Sequence, residues 1–427
     1  SPPWTLQDPP ELFDARSIEL GATQLRRLAS RQPAGGARLL LASCRHPGNF
    51  FERDLSERIF AAMARETRGE RPILAAVFSG DQIYADATAN LGATRLPRER
   101  VTSLYAAAFK SPAARDLLRR VPCIMAGDDH EIIDNWAGAR DEGGTTNGMG
   151  GSGTTRRDRK QRAAMRQRAT WAREAYEVFQ WEFSEGARAA RHFDPGRNPL
   201  WHAARLAGFP CFVVDGRFER AVDARTGEAD RLFTPQQLSA LLEWIDAQRA
   251  ATPCFIVTGA APWPPTRALH ADNAYLRRSD SWARYPREFH ALLERIARRH
   301  LRNVVILCGD AHCSLTAQVR YRFADTGWSG GFTVVQSSGL YTPYPFANDR
   351  NVDYGVEPGR TERFTHRYEA RGAAVDFDWT VTGGTDQRSY ALVDVDETAP
   401  DRWRLSISHR DENGDATLAP SRWEVPF

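Results

Sequence analysis

The segment MAGDDHEIIDNW at residues 125–136 contains four carboxylates and one histidine directly after a short apolar run. Carboxylates at this spacing repel one another, and their burial is costly unless a cation or several hydrogen-bond donors offset the charge. Carboxylate and imidazole are also common metal ligands. Asp128, Asp129 and His130 therefore predict a metal site.

Polar clusters also follow three other short apolar runs of the sequence. They are Cys44-Arg45-His46, Gly80-Asp81-Gln82-Ile83-Tyr84-Ala85-Asp86 and Gly309-Asp310-Ala311-His312. In an open α/β sheet, loops at the carboxyl ends of the strands converge, and ligands bind there. Four clusters at equivalent strand ends therefore predict a single metal centre.

The elements that must position these clusters are strands alternating with helices. The apolar, strand-like runs cover residues 38–44, 73–79, 121–126, 209–214, 254–258, 303–308 and 332–336. Helical periodicity covers residues 55–66, 98–110, 157–183, 235–250 and 282–300. This alternation predicts an α/β fold. After about residue 310 strands dominate, and SYALVDVDE with RWRLSISHRD predicts an antiparallel pair near the C-terminus.

Composition narrows the classes of function. A hydrophobic fraction of 42% over 427 residues is typical of a folded enzyme, and a net charge of +3 gives no basic excess that would indicate a nucleic-acid partner. No apolar stretch reaches the ~18 residues of a membrane span. The six cysteines contain no C-x-x-C pair and predict no disulfide framework.

The sequence begins without methionine, so we expect export to the periplasm if a leader was removed and a cytoplasmic location otherwise. Oligomeric state has no sequence signal.

The motifs together resemble one known family. Gly-Asp-x-x-Tyr at 80–84, Gly-x-Asp-His-Glu at 127–131 and Gly-Asp-x-His at 309–312, with Ala-Ser-Cys at 42–44, resemble the alkaline phosphatase D branch of the metallophosphoesterases. The resemblance covers the chain from about residue 38 to the C-terminus. It implies a four-layer α-β-β-α sandwich, which we expect to be closed by the C-terminal antiparallel strands.

The resemblance also sets the expected domain organisation. Residues 1–37 are predicted to be an N-terminal extension and residues 38–427 a single metallophosphoesterase domain. The glycine-rich run at 143–155 predicts a flexible loop within it. The strand end at 257–260 lacks the histidine that other metallophosphoesterases place there, as is usual in the alkaline phosphatase D branch.

Phosphoester hydrolysis requires in-line attack on phosphorus and charge stabilisation on its oxygens, which two metal ions roughly 3.5–4 Å apart provide. Asp81 directly follows the second strand and is expected to bridge both ions. Cys44, Tyr84 and His312 would complete the first site beside Asp81. Thiolate and phenolate are strong anionic donors, and Fe³⁺ fits this mixture best.

The second predicted site is rich in oxygen. Asp129 and Asp310 with Asp81 suit Ca²⁺, with Mg²⁺, Mn²⁺ or Zn²⁺ as alternatives. Five ligands would be anionic when ionised and match the five positive charges of one trivalent and one divalent ion: Cys44, Tyr84, Asp81, Asp129 and Asp310. Asp128 is expected either to bind an additional cation or to orient His130.

Catalytic roles are expected for residues beside these ligands. His130, adjacent to Asp129, would protonate the leaving oxygen or contact a phosphate oxygen. Arg45 and Arg217 are expected either to clamp phosphate through paired hydrogen bonds or to form ion pairs that hold loops. Glu131 and Asp134 are expected to cap a helix that begins there, because acidic residues suit a first helical turn.

The predicted function is a metal-dependent phosphoric ester hydrolase that uses a metal-bound hydroxide on small phosphate monoesters or diesters. One alternative is a catalytically inactive metal- or phosphate-binding protein of the same fold. A remote alternative is a serine hydrolase, because Gly327-Trp328-Ser329-Gly330-Gly331 fits G-x-S-x-G. A nucleophile elbow needs a helix after its serine, whereas a strand is predicted there.

The specificity pocket is expected to form from three loops and to be lined by aromatic side chains. The loops are residues 86–112, 137–156 and 260–285, and the aromatic candidates are Trp263, Tyr275 and Trp282.

Overall fold

The computed structural model describes most of the chain in segments. These are residues 36–46, 53–86, 98–138, 156–184, 187, 198–222, 229–263, 280–337, 339–341, 357, 359–370 and 373–427. The glycine-rich loop predicted at 143–155 lies outside the described residues. So do residues 1–35 of the predicted N-terminal extension.

Six α-helices lie within these segments. They are α1 (Arg53–Glu66), α2 (Arg98–Lys110), α3 (Pro112–Leu118), α4 (Arg156–Phe179), α5 (Pro235–Asp246) and α6 (Pro286–Arg298). Short 3₁₀ helices cover Trp181–Phe183 and Trp282–Arg284. Local sequence determines where α3 and α5 begin. The side chains of the N-cap residues Ser111 and Thr234 each accept a hydrogen bond from a backbone amide of the first turn, and a proline follows each of them. No helix in the described segments is long and apolar enough to cross a membrane.

The first sheet has six strands and combines the start and the end of the chain. Its strands are β1 (Ala37–Ala42), β2 (Ile73–Ser79), β3 (Cys123–Ala126), β14 (Tyr390–Ala399), β15 (Arg402–Arg410) and β16 (Ser421–Val425). Their order is β16-β15-β14-β1-β2-β3. Strands β1 to β3 are parallel, whereas β14, β15 and β16 pair antiparallel. The predicted antiparallel pair near the C-terminus is thereby confirmed.

The second sheet has eight strands. They are β4 (His202–Leu206), β5 (Phe209–Val213), β8 (Cys254–Val257), β9 (Val304–Cys308), β10 (Ser314–Phe323), β11 (Ser329–Gln336), β12 (Thr361–Ala370) and β13 (Ala373–Thr385). The order is β12-β13-β10-β11-β9-β8-β5-β4, with β5, β8, β9 and β11 parallel. A separate two-stranded ribbon joins β6 (Ala221–Val222) and β7 (Ala229–Arg231).

Three apolar clusters hold these elements together. One contains Leu41 and Val257, and so lies between the two sheets. A second packs α1, α2 and α3 against the other face of the first sheet, through residues such as Phe60 and Phe78. A third packs α5 and α6 against the second sheet and includes Ile296. The central parallel strands are therefore buried on both faces, which explains their continuous apolar sequences. The chain has a mixed α/β fold with two main sheets.

Candidate metal centre

The loops that follow strands of both sheets meet at one place. The amide of Arg45 donates to the carbonyl of Asp81 at 2.8 Å, which joins the loops after β1 and β2. The amide of Gly309 donates to the carbonyl of Gly259 at 2.8 Å, which joins the loops after β9 and β8. The loop after β3 reaches both sheets, because Gly80 and Gly259 each lie against Asp128.

Gly259, after β8, leaves room for the side chain of Asp128. A Cβ atom at this position would lie 2.5 Å from Cγ of Asp128, so no side chain fits there while Asp128 keeps its place. The space beside the end of β8 is therefore filled by the carboxylate of Asp128 from the loop after β3.

Strained backbone marks the candidate ligands. Cys44, Asp81, Asp310 and His312 have φ angles of 59°, 54°, 73° and 51°, in the left-handed region that side chains other than glycine rarely adopt. Such conformations cost on the order of 1–3 kcal/mol each and cluster at functional sites. Cys44, Asp81 and Asp310 each lie two residues after a strand, and His312 lies two residues before β10.

The first candidate group brings together the four residues predicted for the sulfur-containing site. Cys44, Asp81 and His312 are buried, and each offers a ligand atom within 4.8 Å of the others. Sγ of Cys44 lies 3.4 Å from Oδ2 of Asp81. Oη of Tyr84 lies 3.0 Å from Nε2 of His312, so the phenol belongs to the same cluster.

Two further groups continue from the first. Asp81, Asp129 and His130 form one, and Asp128, Asp129 and Asp310 form the other. Oδ2 of Asp128 and Oδ1 of Asp129 are buried without a hydrogen-bond partner among the described residues. Buried carboxylate oxygens normally have partners, so these two fit cation ligands. The donor set as a whole therefore fits bound metal ions.

Burial and mutual repulsion oppose ionisation of several of these groups. Burial, followed by the charge of Cys44, raises the pKa of Asp81 well above its ordinary range, and the same causes raise the pKa of Tyr84. Burial also raises the pKa of Asp128 to about 8, although Arg217 opposes the shift. Burial and then Asp128 raise the pKa of Asp310. A cation at the centre would reverse these costs.

At Asp129 and His130, neighbouring charges outweigh the effect of burial on the pKa and favour the charged form of each group. Burial alone would raise the pKa of Asp129, but Arg217, His130 and the amide of Asn135 together lower it. Burial alone would lower the pKa of His130, yet Asp129 and Asp86 raise it to about 10. In the metal-free chain the two shifts therefore favour a carboxylate at Asp129 beside an imidazolium at His130.

Asp86 is a site residue to which sequence analysis gave no role. Both of its carboxylate oxygens lie 2.9 Å from Nδ1 of His130, and the ring of Tyr84 stacks on His130 at 4.0 Å between centroids. Asp86, rather than the predicted Asp128, therefore orients this histidine. Its position in the polar cluster after β2 was the only sequence signal.

Glu131 has a role other than the predicted helix cap. Residues 130–135 form turns and not a helix, so that prediction is wrong. The buried carboxylate of Glu131 accepts the amides of Asp81, Gln82 and Asp128 at 3.1, 2.7 and 2.8 Å, and Nε2 of Gln180 at 2.8 Å. A single side chain thus fixes the two loops that carry the candidate ligands.

Arg217 is joined to the carboxylates and does not present an open fork to phosphate. Its Nε donates to Asp128, Nη1 lies 2.8 Å from Oδ2 of Asp280, and Nη2 lies 3.0 Å from Oδ1 of Asp310. The side chain is 0% exposed. Of the two alternatives predicted for this arginine, the structure shows the ion pair. Asp280 was not identified from the sequence, because it lies in a loop without a motif.

Arg45 also forms an ion pair with a carboxylate of the protein. Its guanidinium donates to the carbonyl of Ala108 at 2.7 Å, to Glu57 at 2.6 Å and to Ser111 at 3.2 Å, and it covers the ring of Phe60. These contacts join β1's loop to α1 and the start of α3. For Arg45 too, the structure shows the ion pair that was one of the two predicted alternatives.

Two other sequence-based expectations are also corrected. Trp263 and Trp282 are buried in the cluster beside the second sheet and do not line an open pocket, while Tyr275 lies outside the described residues. Ser329 begins strand β11, so a strand and not a helix follows it, and the nucleophile elbow of a serine hydrolase is absent at this motif.

Comparisons with known proteins identify one family and one solved structure to which this chain is similar. Residues 39–341 match the family described as "PhoD-like phosphatase". No curated protein matches the chain significantly. A solved structure described as "Structure of PhoD" superposes with a TM-score of 0.58 at 14% identity, over 91% of this chain and 72% of that chain, and so shares its fold. The chain therefore belongs to the PhoD-like phosphatase family, and the prediction of a phosphoric ester hydrolase is confirmed.

Proposed function

We propose that this phosphatase depends on a binuclear metal centre. Cys44, Asp81, Tyr84 and His312 would hold Fe³⁺, and Asp81 with Asp129 and Asp310 would hold Ca²⁺ or another divalent ion. The observation that carries the proposal is the chain of three donor groups linked through Asp81 and Asp129, in which every residue is buried except the half-buried Asp310. Because these two residues each belong to two groups, adjacent ions could share them as ligands.

The donor types support the choice of metals. One half offers sulfur, phenol and imidazole, which suit Fe³⁺, and the other offers carboxylate oxygens, which suit Ca²⁺, Mg²⁺ or Mn²⁺. Bound at these positions, the ions would supply charge stabilisation for phosphoryl oxygens and lower the pKa of the attacking water.

The protein's own part in the reaction centres on His130. Two oxygens of Asp86 hold its Nδ1, which fixes the ring, and the neighbouring carboxylates favour its protonated form. His130 would therefore give a proton from Nε2 to the leaving oxygen of the ester. Glu131 would keep Asp81 and Asp128 in place through their amides during turnover.

The same proposal places the chain in the metallophosphoesterase superfamily with a four-layer α-β-β-α domain over residues 38–427. Support comes from the apolar clusters, because one lies between the sheets and two others lie beneath the helices on their outer faces. The proposed substrates are small phosphate monoesters and diesters.

The test combines metal analysis with turnover. The protein is purified without chelator, its metals are measured by elemental analysis, and hydrolysis of p-nitrophenyl phosphate and bis-p-nitrophenyl phosphate is followed before and after chelation. We expect about one iron and one divalent ion per chain, a visible tyrosinate-to-Fe³⁺ absorbance, and activity that disappears on chelation and returns with both ions. Full activity of metal-free protein would refute metal dependence, and zinc in both positions would refute the metal assignment alone.

A further inference from the structure

Two motif residues have no role in the proposed function: Ser43 of the Ala-Ser-Cys stretch and Gly309 of the Gly-Asp-x-His stretch. Each is the first residue after a strand, β1 or β9. Ser43 is 0% exposed, and its Oγ lies 3.0 Å from Sγ of Cys44. A hydroxyl in contact with a candidate ligand atom is chemically relevant, because hydrogen bonds around a cysteine sulfur tune the metal that it binds.

The neighbours of the Cys44 sulfur differ in what they can donate. Oδ2 of Asp81 lies 3.4 Å from Sγ, and the carbonyl oxygen of Asp310 lies 3.8 Å from it. A carboxylate and a carbonyl only accept hydrogen bonds, whereas the hydroxyl of Ser43 can donate or accept. A sulfur that binds a metal is a thiolate and carries no proton. Of these three neighbours, only the Ser43 hydroxyl can therefore donate to such a sulfur.

A carbonyl group competes for the single hydroxyl proton of Ser43. Oγ of Ser43 lies 3.2 Å from the carbonyl oxygen of Ser337. O–H···O hydrogen bonds are typically ~2.7–2.8 Å long, so this contact is weak. A hydrogen bond to an ionised acceptor is roughly twice as strong as one between neutral groups. The proton is therefore expected to point to the sulfur once Cys44 is a metal-bound thiolate.

The backbone fixes the hydroxyl beside the sulfur. The carbonyl of Ser43 accepts the amide of Leu340 at 3.1 Å, and the carbonyl of Cys44 accepts the amide of Tyr341 at 3.2 Å. Two consecutive residues of one segment thus hold both residues of the Ser-Cys pair. The separation of the hydroxyl and the sulfur is therefore set by the fold and not by the rotation of a loose loop.

Gly309 leaves the space that this hydroxyl occupies. A Cβ atom at position 309 would lie 2.5 Å from Cβ of Ser43 and closer still to its Oγ. It would also lie 2.7 Å from the carbonyl oxygen of Ser79, so the backbone at the end of β2 blocks a shift on that side. No side chain fits at position 309 while Ser43 keeps its place.

Resting on the proposed function, in which Cys44 binds a metal ion, we infer that Ser43 is a positioning residue whose hydroxyl donates a hydrogen bond to the Cys44 sulfur, and that Gly309 makes room for it. The hydrogen bond draws electron density away from the sulfur. The thiolate then gives less charge to the ion, which keeps the ion a stronger Lewis acid towards phosphoryl oxygens. Ser43 is fully buried and acts on the reaction through Cys44.

Cobalt(II) reports on the sulfur directly. The metals of the purified protein are removed with chelator, Co²⁺ is bound in their place, and the thiolate-to-Co²⁺ charge-transfer band in the near ultraviolet is recorded for wild type and Ser43→Ala. Loss of the hydrogen bond leaves more electron density on the sulfur, so we expect the band to move to longer wavelength in Ser43→Ala. This measurement does not depend on which metal the protein contains when it is purified.

Ser79→Ala is the matched control for loss of a buried hydroxyl. Ser79 is also 0% exposed and precedes a loop with a candidate ligand, but its Oγ has no hydrogen-bond partner among the described residues. Its removal should leave the band at the wild-type wavelength. Gly309→Ala should displace the hydroxyl of Ser43 and move the band in the same direction as Ser43→Ala.

Turnover with the native metals is the second measurement. We expect Ser43→Ala to lower kcat for p-nitrophenyl phosphate about 10-fold with KM nearly unchanged, because a weaker Lewis acid slows the chemical step more than it weakens substrate binding. Ser79→Ala should keep the wild-type kcat.

The outcomes separate this inference from the proposed function. A wild-type thiolate band that keeps its wavelength in Ser43→Ala, or that moves equally in Ser79→Ala, would overturn the role of Ser43 and leave a metal-dependent phosphatase intact. Absence of the band from wild type loaded with Co²⁺ would show that Cys44 is not a ligand, and the proposed iron site would fall together with this inference. Active protein that binds no metal would overturn both as well.

Discussion

Asp81 and Asp129 lie in adjacent loops and are 1% and 3% exposed, yet the pKa values of their carboxyl groups shift in opposite directions. Around Asp81, burial and the neighbouring Cys44 raise the pKa, so the metal-free site resists ionisation. Around Asp129, burial is outweighed by Arg217 and His130, and the pKa falls. Similar burial is therefore accompanied by opposite pKa shifts, because Asp129 has the cations Arg217 and His130 beside it, whereas the neighbours that shift the pKa of Asp81 are anionic.

This difference implies that the two halves of the proposed centre need different amounts of positive charge from a metal ion. Under the proposed function, the half with Cys44 and Tyr84 would need a strongly charged ion to ionise its ligands, and a trivalent metal would suit it. In the other half, Arg217 lowers the pKa of Asp129, whereas the pKa values of Asp128 and Asp310 remain raised, so the proposed divalent ion would supply the remaining charge. Changes to the first half are therefore expected to affect metal loading more than changes around the second.

Asp81→Asn should give the largest loss, because Asp81 belongs to both halves. We expect a fall in kcat on the order of 10³-fold or more together with loss of metal from the purified protein. Elemental analysis and hydrolysis of p-nitrophenyl phosphate measure the two effects. The control is Asp394→Asn, which removes a carboxylate paired with Arg38 in the first sheet and should retain metal and activity. Normal metal content in Asp81→Asn would remove its proposed bridging role.

Cys44→Ser tests the first half alone. Serine keeps the size of the side chain but replaces a readily ionised thiol with a hydroxyl, so iron affinity should fall about 100-fold while the divalent site keeps its ligands. Iron content and the visible absorbance should decrease together. Cys254→Ser, a buried thiol in β8 outside the donor groups, controls for placing a hydroxyl in the interior. Equal iron content in wild type and Cys44→Ser would show that the sulfur is not a ligand.

Asp86→Asn tests the imidazolium of the second half. Removal of this charge should lower the pKa of His130, and we expect kcat to fall about 10- to 100-fold with both metals retained. If the reaction requires protonated His130, the variant will lose activity at a lower pH than wild type does. The alkaline limb of its pH profile is therefore expected to shift to lower pH. Asp134→Asn is the control, because its exposed carboxylate lies 3.9 Å from Nε2 and should move the limb little. An unmoved limb in Asp86→Asn would leave Asp86 a purely structural residue.

The sequence revealed the candidate ligands because each lies within a few residues of a strand end. Cys44, Asp81 and His312 follow strands in a repeated pattern, and parallel strands bring such positions to one edge whatever the loop details. The mixed α/β fold and the C-terminal antiparallel pair were predictable for the same reason, since periodicity and strand order depend on local sequence.

Side-chain partners from distant segments were not predictable. The direction of Arg217 depends on Asp280, and that of Arg45 depends on Glu57 and Ser111, none of which lies in a motif. An arginine beside a metal motif is equally compatible with a phosphate contact and with an internal ion pair until those partners are placed. Glu131 shows the same limit, because its role depends on amides of a loop fifty residues earlier.

The smallest effect should appear in the stability of the metal-free protein, where Asp81→Asn is expected to be stabilising. The folded, metal-free chain raises the pKa of Asp81, and raises that of Asp128 to about 8, whereas the unfolded chain has ordinary carboxyl pKa values. The folded state therefore binds more protons, and the free energy of unfolding falls as pH rises from about 4 towards 8. An amide at position 81 removes one of these ionisations. Melting temperatures in chelator should favour Asp81→Asn over wild type at pH 8 and by less at pH 5, whereas added metal should reverse the order. If wild type were instead more stable than Asp81→Asn in chelator at pH 8, groups of the protein itself would compensate the negative charge of Asp81 without metal. The difference between the pKa shifts of Asp81 and Asp129 would then disappear.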